Sequence, residues 1–359
     1  MVGRIFIPIM IDERFNWRVP KSWNELPTEM LESITPLTLE YNLMLAGCNK
    51  LAEPQYKLKV LLLTCGLEDK CITEFDGERD WYYFSVNEDN SEDRMDWLLS
   101  KVKSWIGHKW WSIEKDPWNR YVKVPVEVLA HLTGVHMKWL DEPYARLKSP
   151  YEFIVVDGVK YKGPADKMTS VTYQQYQTAQ NLVTRYWQVQ ENLRWLLENN
   201  KDEEAIVQQG KTLDKVRQMF LACMFSPGQI VTEVMKNGKK IEVRRETWEY
   251  DPIQLENADR FNRATCDRVF PVMLQFYLSV QQYYSKIFPD LFVKRDDNGV
   301  TKQRPDFMLQ EVETMTAIMK YQGFADYQSI YDSNTVHILK ILDNMAHEAK
   351  EMKKISSKH

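Results

Sequence analysis

The sequence predicts a mainly α-helical chain with small β-hairpins, an α+β protein of two or three helical units and no parallel sheet. Three observations carry that reading. Residues of a mostly apolar stripe recur at helical spacing over long stretches, as in Tyr176, Ala179, Val183, Tyr186, Gln190, Leu193 and Leu197. The dipeptides Asp157-Gly158 and Asn237-Gly238 sit between strand-like runs, and a type I′ hairpin turn needs the positive φ that such pairs tolerate. Two spacings, Ser22 with Glu25 and Thr172 with Gln175, offer the reciprocal caps that satisfy orphan backbone donors at a helix start. The units are expected at 1–150, helical with short strands; at 151–250, a hairpin, a long helix and a second hairpin; and at 251–359, helical throughout.

Taken in order, Ile5 to Ile11 reads as a strand. Pro8 interrupts it, Asp12 and Glu13 follow, and no small-residue cleavage site appears, which argues against a targeting segment. Ser22 and Glu25 open a helical stretch that Pro27 and Pro36 are expected to break into short pieces. Gln55 to Leu67 is apolar enough for a buried helix, with Gly66 as its stop. Trp81 to Phe84 reads as a strand. Ser91, followed by Glu92 and Asp93, caps a helix striped by Trp97, Leu98, Val102, Trp105 and Ile106. A Trp-rich linker through Trp110, Trp111 and Trp118 follows.

Phe153 to Lys162 is the first hairpin, and Thr172 opens the long striped helix. Lys211 to Phe225 is a further helix closed by Ser226-Pro227-Gly228, and Ile230 to Trp248 forms the second hairpin. From Leu255 to Phe288 the pattern is helical, with Pro271 expected to end one helix or start the next. Beyond it, apolar residues occupy more than one face, the mark of a helix buried on both sides. The turn Asp297-Asn298-Gly299 leads to two last helices. Met308, Val312, Met315 and Met319 stripe the first, which Gly323 ends. Ile338, Ile341, Leu342, Met345, Ala349 and Met352 stripe the second.

Composition narrows the function. Of 359 residues 44% are hydrophobic, enough for packed interiors and too many for wholesale disorder. The net charge of -4 lacks the basic excess of a duplex-binding domain, so nucleic acid is a disfavoured partner. Five scattered cysteines read as free thiols of a reducing compartment. No apolar run approaches the ~18 residues of a membrane span, so no membrane association is expected. Neither phosphate-cradling glycine motif occurs, and no serine elbow. His131 and His136 lie five apart around Gly134, a poor spacing for metal ligands on a helix. No cofactor, metal site or catalytic residue is therefore expected, although paired carboxylates can catalyse without any motif.

Two candidate partner surfaces remain. One is the basic second hairpin, where Lys239 and Lys240 stand beside Lys236, Arg244 and Arg245; such lysines either solvate a turn and discourage strand pairing or meet an acidic partner or nucleic acid. The other is the Met-rich face of Met308, Met315 and Met319 with Leu342 and Met345 of the last helix. These two faces either cover each other or form an adaptable docking surface.

Three stretches together resemble a known group. They are FIVVDGVKYKGPADKMTSVTYQQYQTAQNLVTRYW, VFPVMLQFYLSVQQYYSKIFPDLF and GFADYQSIYDSNTVHILKILDNMAHEAKEMKK. The combination is similar to uncharacterised proteins of phages and prophages of Bacteroides-like bacteria, encoded near tail-tube and tape-measure genes. The opening PKSWNELP resembles the start of tail-assembly proteins of such modules. The resemblance spans roughly residues 18 to 352 as a pattern of aromatic and turn positions, and Asp69 to Trp118 falls outside it. It implies no catalytic residues. It implies a tail assembly or virion structural protein, in the cytoplasm of the bacterial host or in the virion, bound to other tail or virion proteins or to itself. The alternatives are a cytosolic enzyme with a motif-less acidic site and a nucleic-acid-associated protein using the basic hairpin.

Overall fold

The computed structural model describes residues 20–45, 52–64, 71–76, 81–86, 114–115, 121–125, 134, 137–141, 146–199, 202–233, 243–248, 252–256, 258–292 and 307–356. Two compact units emerge, Met1–Ala145 and Arg146–His359. The protein is mainly α, with small antiparallel sheets, and every strand pair among the described residues is antiparallel.

In the first unit, Ser22 precedes a single 3₁₀ turn, Trp23–Glu25, and its side chain makes no cap. The Glu25 carboxylate instead accepts from the Lys21 backbone N–H at 3.1 Å. The expected capping box is absent because Pro27 confines this piece to one turn. Helix α1 (Thr28–Leu45) then runs straight through Pro36, against the expected break. Pro36 cannot donate to the Glu32 carbonyl. Around it, however, Leu31 and Ile34 are fully buried, and the Thr35 and Thr38 hydroxyls bond back to Leu31 and Ile34 carbonyls at 2.6 and 3.0 Å. Helix α2 (Ala52–Thr64) packs on α1. Its Tyr56 stacks on Tyr41 at 4.4 Å and shares a 2.8 Å hydrogen bond with Thr38. Strands β1 (Cys71–Asp76), β2 (Trp81–Val86), β3 (Glu114–Lys115) and β4 (Tyr121–Pro125) form a sheet in the order β1-β2-β4-β3. The helix expected from Ser91 and the strand expected at Ile5 to Ile11 lie outside the described residues, and of the expected Trp-rich linker only Glu114–Lys115 is described, as β3 rather than a linker.

The second unit opens with the hairpin of β5 (Phe153–Val156) and β6 (Val159–Lys162). Asp157 and Gly158 hold φ of 50° and 78°, the turn the dipeptide predicts. Thr172 and Gln175 cap each other as expected. The Thr172 N–H donates to Gln175 Oε1 at 3.0 Å, and the Gln175 N–H to Thr172 Oγ1 at 3.2 Å. From there α3 (Tyr173–Asn199) runs out, and α4 (Glu203–Met224) returns. After α4, β7 (Ser226–Pro227) joins β6, and β8 (Gln229–Glu233) pairs with β9 (Val243–Thr247) as the second hairpin.

Helix α5 (Arg263–Ile287) contains Pro271 in its interior, where a break was expected. Its neighbours Val269, Phe270, Val272, Met273 and Leu274 are all 2% exposed or less, so packing on every side outweighs one missing backbone bond. Tyr176 meets Tyr277 and Tyr284 at 6.0 and 6.1 Å, while Tyr186 meets Phe270 at 4.9 Å, so α5 runs antiparallel to α3. Phe220 of α4 completes this aromatic core against Phe270 and Tyr277. Residues 151–250 and 251–359, expected as separate units, thus share one interior. Helices α6 (Phe307–Gln322), α7 (Tyr327–Tyr331) and α8 (Thr335–Ser356) finish the chain. Gly323 ends α6 at a φ of 73°.

Candidate functional site

The sequence-predicted surface on the last helices is largely an interior. Met315 is 2% exposed and clusters with Tyr173, Ile318, Ile330, Ile338 and Ile341. Met319, Leu342 and Met345 are half-buried against the same cluster. Apolar faces joined by a short connection have covered each other, so Met315 is not offered to a partner. Met308 lies on α6, and its side chain lies outside the described residues, as do Lys239 and Lys240. Of that hairpin's basic group only Arg244 and Arg245 fall on a described strand, opposite Thr232 and Val231.

Val312 of the α6 stripe is exposed, as are Val155, Met352 and Ile355 on other elements; one group of exposed apolar side chains lies at the far end of the α3–α4 hairpin. Tyr173, Tyr176, Ala179, Val183, Tyr186 and Val189 carry the α3 stripe into the core. Among the described residues, nothing between Val189 and Val216 is buried. Leu197, expected on the buried stripe, is 56% exposed, Trp195 57% and Val207 56%. The end is also acidic. Glu198, Asp202, Glu203 and Glu204 are exposed. Glu198 accepts from Arg194 Nε at 2.8 Å. Asp202 caps α4, its Oδ1 accepting from the Glu204 and Ala205 N–H groups at 3.1 and 3.2 Å. At the root of this projection Gln190 Oε1 is buried without a hydrogen-bond partner among the described residues. The sequence signal for the tip was Trp195, an aromatic off the stripe directly before an acidic turn.

A second feature is an ionic cluster where α5 ends. Asp343 Oδ1 accepts the Asp290 and Leu291 backbone N–H groups, both at 2.9 Å. Asp290 in turn meets Lys350 Nζ at 2.9 Å and His347 Nδ1 at 2.7 Å. Hydrogen bonding from Lys350, then from His347, holds the Asp290 carboxyl below its ordinary range, and Lys350 is raised in return. The Asp290 carboxylate that meets His347 is engaged by Lys350, and Asp343 is engaged by two backbone N–H groups; the cluster fastens α8 to the end of α5.

Other titratable groups are built into packing. Arg217 bonds Asp267 at 2.6 Å and Asp214 at 3.3 Å while lying 5.4 Å over the Phe270 ring. Burial pushes the neighbouring Cys266 thiol up to about 11, which keeps it protonated and unreactive at neutral pH. Burial likewise raises Tyr56 and Tyr176 to about 12. A cleft of about 340 Å³ lies among Lys162, Thr172, Gln175, Ser226, Trp248 and Asp332. The Gln175 amide beside it is already engaged, accepting from Thr172 N–H and donating to the Cys223 carbonyl at 3.0 Å. Among the described residues no three acidic, histidine or cysteine side chains converge as metal ligands, and no helix is long and apolar enough to cross a membrane. In comparison with known proteins, the chain matches no protein-family model, no curated protein and no solved structure.

Proposed function

We propose that this chain is a tail assembly or virion structural protein of a phage, that it acts by protein–protein binding, and that the tip of the α3–α4 hairpin is a docking surface. The tail assignment draws on the resemblance of its aromatic and turn pattern to tail-module proteins. The docking role draws on one observation, the exposure of Trp195, Leu197 and Val207 at the end of a projecting helical pair. Trp is the residue that most often anchors an interface, because its large flat face buries much apolar area at low entropic cost. An acidic rim around that patch supplies orientation and suppresses wrong pairing.

The test is made in the phage or prophage that carries the gene. Trp195→Ser with Leu197→Ser, introduced in the full-length chain, should leave the melting curve unchanged, because both side chains already face solvent. The same variant should lose co-purification with the tail-tube and tape-measure proteins. Normal incorporation of the variant removes the tip from assembly, and a wild-type chain that never co-purifies with tail proteins removes the tail assignment.

A further inference from the structure

The end of α8 is a second exposed surface of the same unit, and its charge is opposite in sign to that of the hairpin tip. Met352 is 65% exposed and Ile355 61%, on a helix whose buried residues stop at Ile341. Over 350–356, the described end of α8, the sequence holds three basic residues and one acidic; over 198–204 it holds four acidic and one basic. Some of these charges are engaged locally, Lys350 with Asp290 and Lys354 with Glu351 at 2.6 Å, while Lys353 is exposed.

The two surfaces cannot meet within one chain. Lys350 holds Asp290, which follows the end of α5, and that end lies beside Tyr176 near the start of α3. Ile355 is five residues further along α8, a rise of about 7.5 Å. The tip lies about 20 residues beyond Tyr176 along α3, a rise of about 30 Å. Each surface is thus left for another molecule.

Resting on the reading of the tip as a docking surface, we propose that its occupant is a second copy of this chain. The acidic tip of one copy, with Trp195, Leu197 and Val207, receives the basic end of α8 of the next, with Met352 and Ile355. The contact joins two different surfaces, so it leaves a free tip and a free end after each addition. It generates a ring if the rotation closes and an open row if it does not. The patches are small, so pairing is weak and concentration-dependent, and its charged rim makes it sensitive to salt.

Sedimentation velocity of the full-length protein over a concentration series tests this, in about 0.05 M and about 0.5 M salt. Wild type should form growing oligomers in low salt that recede in high salt. Reversing the tip (E203K/E204K) or the end of α8 (K353E/K354E) should each leave monomers. The chain carrying all four reversals should associate again. Glu203 and Glu204 sit at the positive start of α4, so their reversal weakens that helix end. W195S/L197S, which keeps both carboxylates, and I355S therefore serve as second variants, and each should also remain monomeric with an unchanged melt. A monomeric wild type in low salt, unaffected oligomers in the single-site variants, or no recovery in the fourfold variant overturns the proposal. If self-association fails while W195S/L197S still drops out of tail particles, only the choice of occupant is lost. Normal incorporation of that variant removes the docking role as well.

Discussion

The Thr335 hydroxyl lies 2.8 Å from the carbonyl oxygen of Val171, fastening the start of α8 to the start of α3 across 164 residues of sequence. The Thr335 N–H donates to the same oxygen at 3.1 Å, and the Tyr173 N–H donates to Ser333 O at 2.8 Å. Thr335 is wholly buried, so its hydroxyl has no water to fall back on. Thr335→Val keeps the shape and loses the donor; it should lower stability by about 1–2 kcal/mol in urea denaturation. Thr335→Ser, which keeps the donor, should cost less than Thr335→Val. Equal stability of the Val variant and wild type would show that the backbone bond alone holds this junction.

Two glycines should respond to alanine with opposite signs. A Cβ on Gly163 would stand 2.3 Å from the Tyr151 carbonyl oxygen and 3.1 Å from the Phe225 ring. Neither neighbour can withdraw, since the Gly163 N–H is bonded to Glu152 O at 2.9 Å and Phe225 is fully buried. Gly163→Ala should cost about 1–3 kcal/mol. Gly210 sits inside α4 with nothing within 4 Å of its would-be Cβ. Gly210→Ala should therefore stabilise by about 0.4–1 kcal/mol, through lower chain entropy in the unfolded state. Urea midpoints moving in the same direction would contradict this pair.

Acid should loosen the attachment of α8. The folded-state pKa of Asp290 is depressed by its bonds to Lys350 and His347. A depressed carboxylate contributes stability above its unfolded value, near 3.9, and loses that contribution as pH falls toward the folded value. The difference in urea midpoint between wild type and Asp290→Asn should be present at neutral pH and shrink steadily below about pH 4. A difference that stays constant through that window would mean that the pairing contributes nothing to stability.

The elements governed by local rules were legible in the sequence. The Asp157-Gly158 turn, the Thr172–Gln175 cap and the Gly323 stop each follow from backbone chemistry within a few residues. Where tertiary packing overrules local preference, sequence reasoning failed. Pro36 and Pro271 stand inside helices because the side chains around them are buried on several sides. The α7 turn, capped by Asp326 through the Ser329 N–H at 2.7 Å, is too short to leave a periodicity. The hairpin tip escaped notice for a related reason. Periodicity identifies which face of α3 is apolar but not where the core stops: on the same stripe Leu193 is only half-buried and Leu197 is exposed.

That mismatch between helix length and core length sets a gradient of opening along one pair of helices. An isolated helical segment of this size is marginal in water, and beyond Val189 this pair has no buried side chain among the described residues until Val216. Its amides can exchange with solvent hydrogen through local unwinding that leaves the aromatic interior closed, in the manner of a separate foldon. The outer turns are thus held at a lower opening free energy than the roots they grow from, and any molecule that grips Trp195 raises it.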